Sequence, residues 1–348
     1  MPTVIIAPSL FPQYSRNDII CFQFSSWFPQ FTSLSIRSTI IRPLAKDFVD
    51  YLHSDGVMVP EGSEDLPAES TLSDDEDEDQ EDEDEEEVRR YAFPELDAKI
   101  RRVIKDYGAV FPKLNFSSPK DASWVLLASS PLKCLCPADV YLLLKSSDFI
   151  SHDLSEETVF EGCEPPRADS DPPYALELVL RKWYPVDRSR EFRCFVRQDS
   201  LLGISQRDTN YYDFLNEPQT CRKITTAIKE FWETHIHGKW ASGGDYTFDI
   251  LLTRDLSRGH IVDFNVYSSR TDPLLFTYDE LLAILVQGRS SAPQLKVIDS
   301  RTHPAATRNA PAHQHNMIPF EALNLSSGRD IEQFGGLLQE EIEKTLAD

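Results

Sequence analysis

Tyr246-Thr247-Phe248-Asp249-Ile250-Leu251-Leu252 and His260-Ile261-Val262-Asp263-Phe264-Asn265 read as two β-strands joined by a polar turn that contains Gly259. Asp249 lies on the first strand. Asp263 and Asn265 stand two apart on the second, so they share a face. Antiparallel pairing of the strands predicts that the three oxygen-bearing side chains meet. Two carboxylates and an amide suit a hard cation such as magnesium, which takes few protein ligands and completes its shell with phosphate and water. The plainer alternative is that each acid merely ends a strand.

Working outward, the second half of the chain is rich in β structure. Glu191 to Arg197 alternates, with Phe192, Cys194 and Val196 on one face, and Leu201 to Ser205 returns after the turn Gln198-Asp199-Ser200, which predicts a hairpin. Ala175 to Trp183 is an apolar strand ending in cations. Ile224, Ala227, Ile228, Phe231 and Trp232 mark a helix, and Thr277 caps another that runs to Val286. In the first half, Ile36 to Ile41 reads as a strand and Phe48 to Leu52 as a short helix ending before Gly56. Leu96, Ile100, Val103, Ile104 and Tyr107 recur at helical spacing, with Gly108 as the C-cap. A strand begins at Ala109, and Pro137 opens a helix with Val140, Leu143 and Leu144 on one face. Helices and strands mix without a regular βαβ alternation, so the expected class is α+β with largely antiparallel sheets and packed helices.

Two further stretches carry chemistry. In Phe111-Pro112-Lys113-Leu114-Asn115-Phe116-Ser117-Ser118-Pro119-Lys120-Asp121 a lysine leaves a strand, a hydroxyl-rich loop follows, and a helix is expected from Ser118, with Pro119 in its first turn and Asp121 at its positive end. Loop N–H groups and helix N-termini bind anions, and nearby lysines add charge. The loop has no glycine, which excludes a Walker A or Rossmann fingerprint. In Leu180-Arg181-Lys182-Trp183, with Arg193 and Arg207 beyond, cations at strand ends can meet phosphates and Trp183 can flank a base. Both patterns also fit surface lysines, or cations beside a core tryptophan. No catalytic triad emerges, and His303, His313 and His315 fall in a low-complexity stretch.

The formal charge of the 348-residue chain is −23, and Asp74 to Glu87 holds thirteen acids interrupted by Gln80. Such a block repels itself and buries nothing, so it is expected to be disordered, either as a solvated loop or as a tether that steers a basic partner. Overall acidity argues against nucleic acid as the ligand, since phosphate backbones need a basic footprint. No run of eighteen apolar residues is present, and Met1 to Phe11 lacks the basic start and cleavage site of a secretion signal. The six cysteines form no metal or redox spacing, which fits reduced thiols and a cytoplasmic location. Poor order is also expected over Glu164 to Pro173 and Arg289 to Asn316.

In this order, the lysine loop, the Arg-Lys-Trp strand and the terminal Asp-x-Asn strand resemble the ATP-grasp fold. The chain more specifically resembles the cell division cycle protein 123 family, eukaryotic factors that assemble translation initiation factor 2. The resemblance rests on Phe24-Ser25-Ser26-Trp27-Phe28-Pro29, Phe111-Pro112-Lys113-Leu114-Asn115, Lys145-Ser146-Ser147-Asp148-Phe149-Ile150, Glu177 to Trp183, Glu191 to Val196 and Gly203 to Asp208. It continues through Phe248-Asp249-Ile250, Val262 to Asn265 and Thr271 to Phe276, with a weaker echo at Leu325 to Gly328. After Asn265 the family reads Pro-x-Gly-Glu, where this chain has Val266-Tyr267-Ser268-Ser269, so a different path is expected past the metal strand.

The resemblance implies an ATP-grasp-like architecture with ATP between two subdomains. Residues 1–60 become the N-terminal part of the fold and 61–90 a disordered acidic insertion. Residues 91–174 and 175–288 become the two subdomains, 289–316 a flexible linker and 317–348 a C-terminal tail. It further implies that Lys113, Asn115, Ser118, Lys120 and Asp121 contact phosphates, with Arg193 and Arg207 nearby. Arg181, Lys182 and Trp183 would form the hinge beside adenine, and Asp249, Asp263 and Asn265 would hold magnesium. The implied function is that of a monomeric ATP- and magnesium-binding assembly chaperone for the gamma subunit of translation initiation factor 2, rather than an enzyme. The competing reading is a carboxylate–amine ligase. That chemistry needs a second cationic substrate pocket, which the sequence does not offer, and the acidic stretch Glu164 to Pro173 would repel a carboxylate. A scaffold that binds no nucleotide is a third reading.

Overall fold

The structure, a computed structural model, describes residues 8–64, 91–126, 130–163, 174–288 and 292–308. The acidic run 74–87, the stretch 164–173 and the tail 317–348 lie outside the described residues. The chain divides into two units, Met1–Asp299 and Ser300–Asp348. In the second, the described residues form a turn and a short helix, Pro304–Arg308. The first unit carries helices α1 (Arg16–Cys21), α2 (Phe24–Phe31), α3 (Lys46–His53), α4 (Pro94–Tyr107), α5 (Pro137–Lys145), α6 (Ser151–Leu154), α7 (Glu156–Val159), α8 (Pro218–His235) and α9 (Tyr278–Gln287).

Strands β1 (Ser38–Ile41), β2 (Val110–Lys113) and β3 (Leu178–Lys182) form a three-stranded antiparallel sheet in the order β1-β3-β2. The central strand is buried on both faces, which is why Leu178-Val179-Leu180 is continuously apolar. Ile100 and Val103 of α4, Val140, Leu143 and Leu144 of α5, and Phe48 and Tyr51 of α3 complete the core on this side.

Strands β4 (Glu191–Arg197), β5 (Ser200–Gln206), β6 (Tyr246–Leu252), β7 (Gly259–Asn265) and β8 (Gln294–Lys296) form a second sheet in the order β7-β6-β4-β5-β8. It is antiparallel except for the β5–β8 pair. The expected β4–β5 hairpin is present. Arg197 pairs with Ser200, and the two loop residues, Gln198 and Asp199, take φ of 49° and 55°. Positive φ at both loop positions matches the right-handed twist of the strands. One face of this sheet packs on α2 and α8, where Trp27, Phe31, Ile228 and Phe231 meet Phe248 and Phe264.

Besides the short helices α1, α6 and α7, which the sequence reading did not include, three features differ from expectation. No helix starts at Ser118: residues 121–126 form turns, and Asp121 caps another segment by accepting from the N–H groups of Asp148 and Phe149. Within the expected linker, β8 pairs with β5, and Ile298 behind it is fully buried. The apolar run Leu295, Val297 and Ile298 outweighs the surrounding Ser, Pro and Ala. Helix α2 also goes beyond the expected elements. Pro29 lies inside it, yet Phe24, Trp27, Phe28 and Phe31 form one buried stripe that holds it on the sheet.

Candidate functional site

The β6–β7 register sets Asp249 directly opposite Asp263, and Thr247 opposite Asn265, with the pairing slipping just after Asp249. The two acids therefore face each other on one side of the sheet. Asp249 is buried. Arg193, its neighbour across the β4–β6 pair, donates from Nε to Oδ1 at 2.8 Å and from Nη2 to Oδ2 at 3.0 Å. Arg207, just past β5, donates from Nε to the same Oδ2 at 3.0 Å and lies 3.3 Å from Glu191. Burial alone would raise the Asp249 pKa. The two guanidinium groups outweigh it and hold the carboxyl well below the usual range.

Asp263 accepts from Lys113 Nζ at 2.9 Å. The Lys113 side chain is buried and also donates to the Phe116 carbonyl. This lysine leaves β2 of the small sheet and its partner sits on β7 of the large one, so the pair ties the sheets together. Arg181 repeats the tie from β3, donating from Nη1 to the Val262 carbonyl at 2.6 Å. The Asn265 side chain makes no hydrogen bond among the described residues.

Beside these ties a cavity of about 500 Å³ opens between the sheets, within the span of roughly 300–1,000 Å³ common for ligand pockets. Ile36, Phe111, Leu132, Leu251 and Val262 give it apolar walls, and the segment Lys182 to Val186 runs along it. Trp183 is fixed there by Nε1 donating to the Pro131 carbonyl at 3.2 Å. Lys120, Arg181, Arg188 and Arg207 supply cations, and Glu191 and Asp208 supply acids. Arg181 is 3% exposed, yet its Nε and Nη2 have no hydrogen-bond partner among the described residues. Such orphaned donors are rare on a buried guanidinium. Lys120 has no hydrogen bond to its ammonium among the described residues, and burial, reinforced by Arg207, lowers its pKa to about 8.

The remaining expected site residues sit elsewhere. Asn115 is buried between the Ala175 carbonyl and the Glu177 N–H, at 2.8 and 2.9 Å, where it joins two chain segments. Asp121 bonds Ser147, Asp148 and Phe149. Ser118 touches Lys120 through its carbonyl, which accepts the Lys120 N–H at 2.8 Å. The loop between Lys113 and Lys120 is set by Asp153, a fully buried carboxylate that accepts from the N–H groups of Phe116 and Ser117 at 2.7 and 2.9 Å and from Ser117 Oγ at 2.7 Å. Sequence reasoning missed Asp153, and also Tyr184, Arg188, Glu191 and Asp208 in the cavity wall. Glu191 and Asp208 carried a signal, as the acids bracketing the β4–β5 hairpin next to Arg193 and Arg207.

Past Asn265 the chain turns back on itself. Tyr267 is buried, its N–H donates to Tyr14 Oη at 2.9 Å, and its ring lies 5.1 Å from that of Tyr278. Thr271 Oγ1 donates to the Val266 carbonyl at 2.6 Å and closes the turn. Among the described residues no three His, Cys, Asp or Glu side chains cluster as a cation site. The Asp249–Asp263 pair has an amide, Asn265, as its third candidate donor.

Comparisons with known proteins agree with this architecture. The D123 family model matches residues 27–326. The "Translation initiation factor eIF2 assembly protein" of Xenopus tropicalis is 37% identical over 329 residues, 90% of this chain and 93% of the relative. That of Schizosaccharomyces pombe is 34% identical over 327 residues, 92% of this chain and 94% of the relative. The solved structure of Cdc123 from Schizosaccharomyces pombe is 31% identical, with a TM-score of 0.66, and covers 83% of this chain and 100% of its own. With the family model spanning most of its length, and relatives of this identity covering nine-tenths of it, the chain belongs to the D123 family.

Proposed function

We propose that the chain binds magnesium-ATP in the cavity between its two sheets and acts as an assembly factor for translation initiation factor 2, engaging the gamma subunit. The cavity carries the nucleotide reading. It has one apolar side with an indole, and one cationic side where, among the described residues, two buried Arg181 donors and the Lys120 ammonium have no hydrogen-bond partner. A purine has a flat apolar face, and a triphosphate needs many donors and positive charge. The donor set for the metal also fits, because Asp249 and Asp263 face each other and the Asn265 amide is uncommitted. Bound there, magnesium would neutralise and orient the phosphates. The chain's own part is to hold them, with Lys120, Arg181 and Arg207 as donors and Trp183 beside the base.

The partner reading rests on the names of relatives that match over nine-tenths of the chain. The test is affinity purification from a eukaryotic lysate with and without ATP. Recovery of the initiation-factor gamma subunit is expected, and stronger with ATP. A purification that returns no initiation-factor subunit would overturn the partner assignment. An ATP-dependent amide-linked product found by mass spectrometry would instead move the protein to the ligases.

A further inference from the structure

Both acids of the proposed metal site are already committed. Asp249 Oδ1 accepts from Arg193 at 2.8 Å, and Oδ2 accepts from both Arg193 and Arg207 at 3.0 Å. Asp263 accepts from Lys113 at 2.9 Å. Lys120 and Arg181 stand in the adjoining wall, where the further acids are Glu191, on Arg207, and Asp208. Cations thus outnumber carboxylates around the pair. A bare divalent ion approaching it meets net positive charge and must compete with guanidinium groups for the same oxygens.

The holders of Asp249 are not equivalent. Arg193 lies in the sheet, 7% exposed, with a third bond from Nη1 to the Asp272 carbonyl at 2.8 Å. Arg207 lies beyond the strand end, its side chain is 22% exposed, and it lines the cavity. Its side chain can turn from Asp249 toward an anion in the cavity without unmaking the sheet.

We propose that Arg207 is a gate for the metal. It occupies Asp249 while the cavity lacks an anion, and a polyphosphate draws it away, so the divalent cation is admitted only together with the phosphate chain. This inference rests on the magnesium-ATP reading above. It adds to that reading that free cation is excluded, and it names the residue that excludes it. By linkage, whatever the phosphate gains from Arg207 is coupled to the cation's access to Asp249.

The probe is Mn²⁺, followed by its electron paramagnetic resonance signal and by calorimetry, on the full chain with and without ATP. The wild type is expected to bind Mn²⁺ weakly alone and tightly with ATP. Arg207→Ala is expected to bind Mn²⁺ alone about tenfold more tightly, in the usual range for coupled sites, while its affinity for ATP without metal falls by a similar factor. Arg207→Lys, which restores a cation, is expected to exclude Mn²⁺ again, and near-UV circular dichroism checks that each variant is folded. A merely structural Arg207 predicts that both affinities fall together. Mn²⁺ binding alone that is weakened or unchanged in folded Arg207→Ala would overturn the gate. A wild type that binds Mn²⁺ alone as tightly as with ATP would do the same. Failure of the wild type to bind ATP under any condition would strike the nucleotide reading first, and the gate with it.

Discussion

Lys120 stands in the cavity wall with an ammonium that has no hydrogen-bond partner among the described residues and a pKa lowered to about 8 by burial. The sign follows from that direction. Between about 8 and the ordinary lysine value the unfolded chain holds more protons than the folded one. This group therefore opposes folding at lower pH and is relieved as pH rises through the window. A polyanion favours the protonated form, so ATP affinity should fall above pH 8, by up to about tenfold per unit. Lys120→Arg should flatten that profile, as calorimetry between pH 7 and 9.5 would show. An equal decline in the arginine variant would remove Lys120 from the phosphate site. At this scale the sequence exposed residue types but not their partners. Asp249, Asp263 and Asn265 were legible as a face because two strands and a period of two define it. The Lys113–Asp263 pair joins residues far apart in the chain, and no local spacing announces it. The orphaned donors of Arg181 are likewise a property of the folded chain alone.

Elements set these residues in place, and the hairpins were the most legible part. The apolar strands β3 and β6 follow from burial on both faces of a sheet, whereas the polar positions of β4 are buried as well, Arg193 on Asp249 and Arg197 on Asp245. Legibility failed where local signals misled. Ser118-Pro119-x-Asp121 has the chemistry of a helix start but lacks an apolar stripe after it, and Asp121 serves the segment at Asp148 instead. Pro29 disguised α2, and Pro- and Ser-rich flanks disguised β8. The Phe116–Ser117 loop depends on α6 through Asp153. Asp153→Ala should leave two backbone donors unsatisfied and cost about 3 kcal/mol. Chemical denaturation would measure the loss, and hydrogen exchange should quicken at Phe116 and Ser117. Unchanged exchange there would show that another contact sets the loop. Gly259 allows β7 to approach Ile250, whose Cδ1 would lie 2.6 Å from an added Cβ. Gly259→Ala should therefore destabilise the fold by about 1–3 kcal/mol through overpacking.

At the level of the whole molecule, two sheets are held together by buried polar ties beside a cavity, and a long acidic block interrupts the sequence between α3 and α4. Composition alone gives the expectation that this block joins no core, and it lies outside the described residues. If it steers the partner, deleting Asp74 to Glu87 should slow association at low salt and leave it unchanged at high salt, where the Debye length is short. Stopped-flow mixing with the purified gamma subunit would show this, and equal rates at low salt would leave the block without a steering role. The class α+β and the antiparallel sheets were readable from the pattern, whereas the closure of two sheets around a pocket depends on contacts between residues distant in the chain. The central claim is that the facing acids hold a metal against a nucleotide in that pocket. Because Lys113 relies on Asp263, the cleaner variant is Asp263→Asn, which keeps an oxygen for the lysine and removes the charge. Calorimetric titration of ATP into wild type and Asp263→Asn, with and without magnesium, tests the claim most directly. Magnesium should strengthen ATP binding to the wild type and leave the folded variant almost unaffected, whereas an equal magnesium effect in both would contradict it.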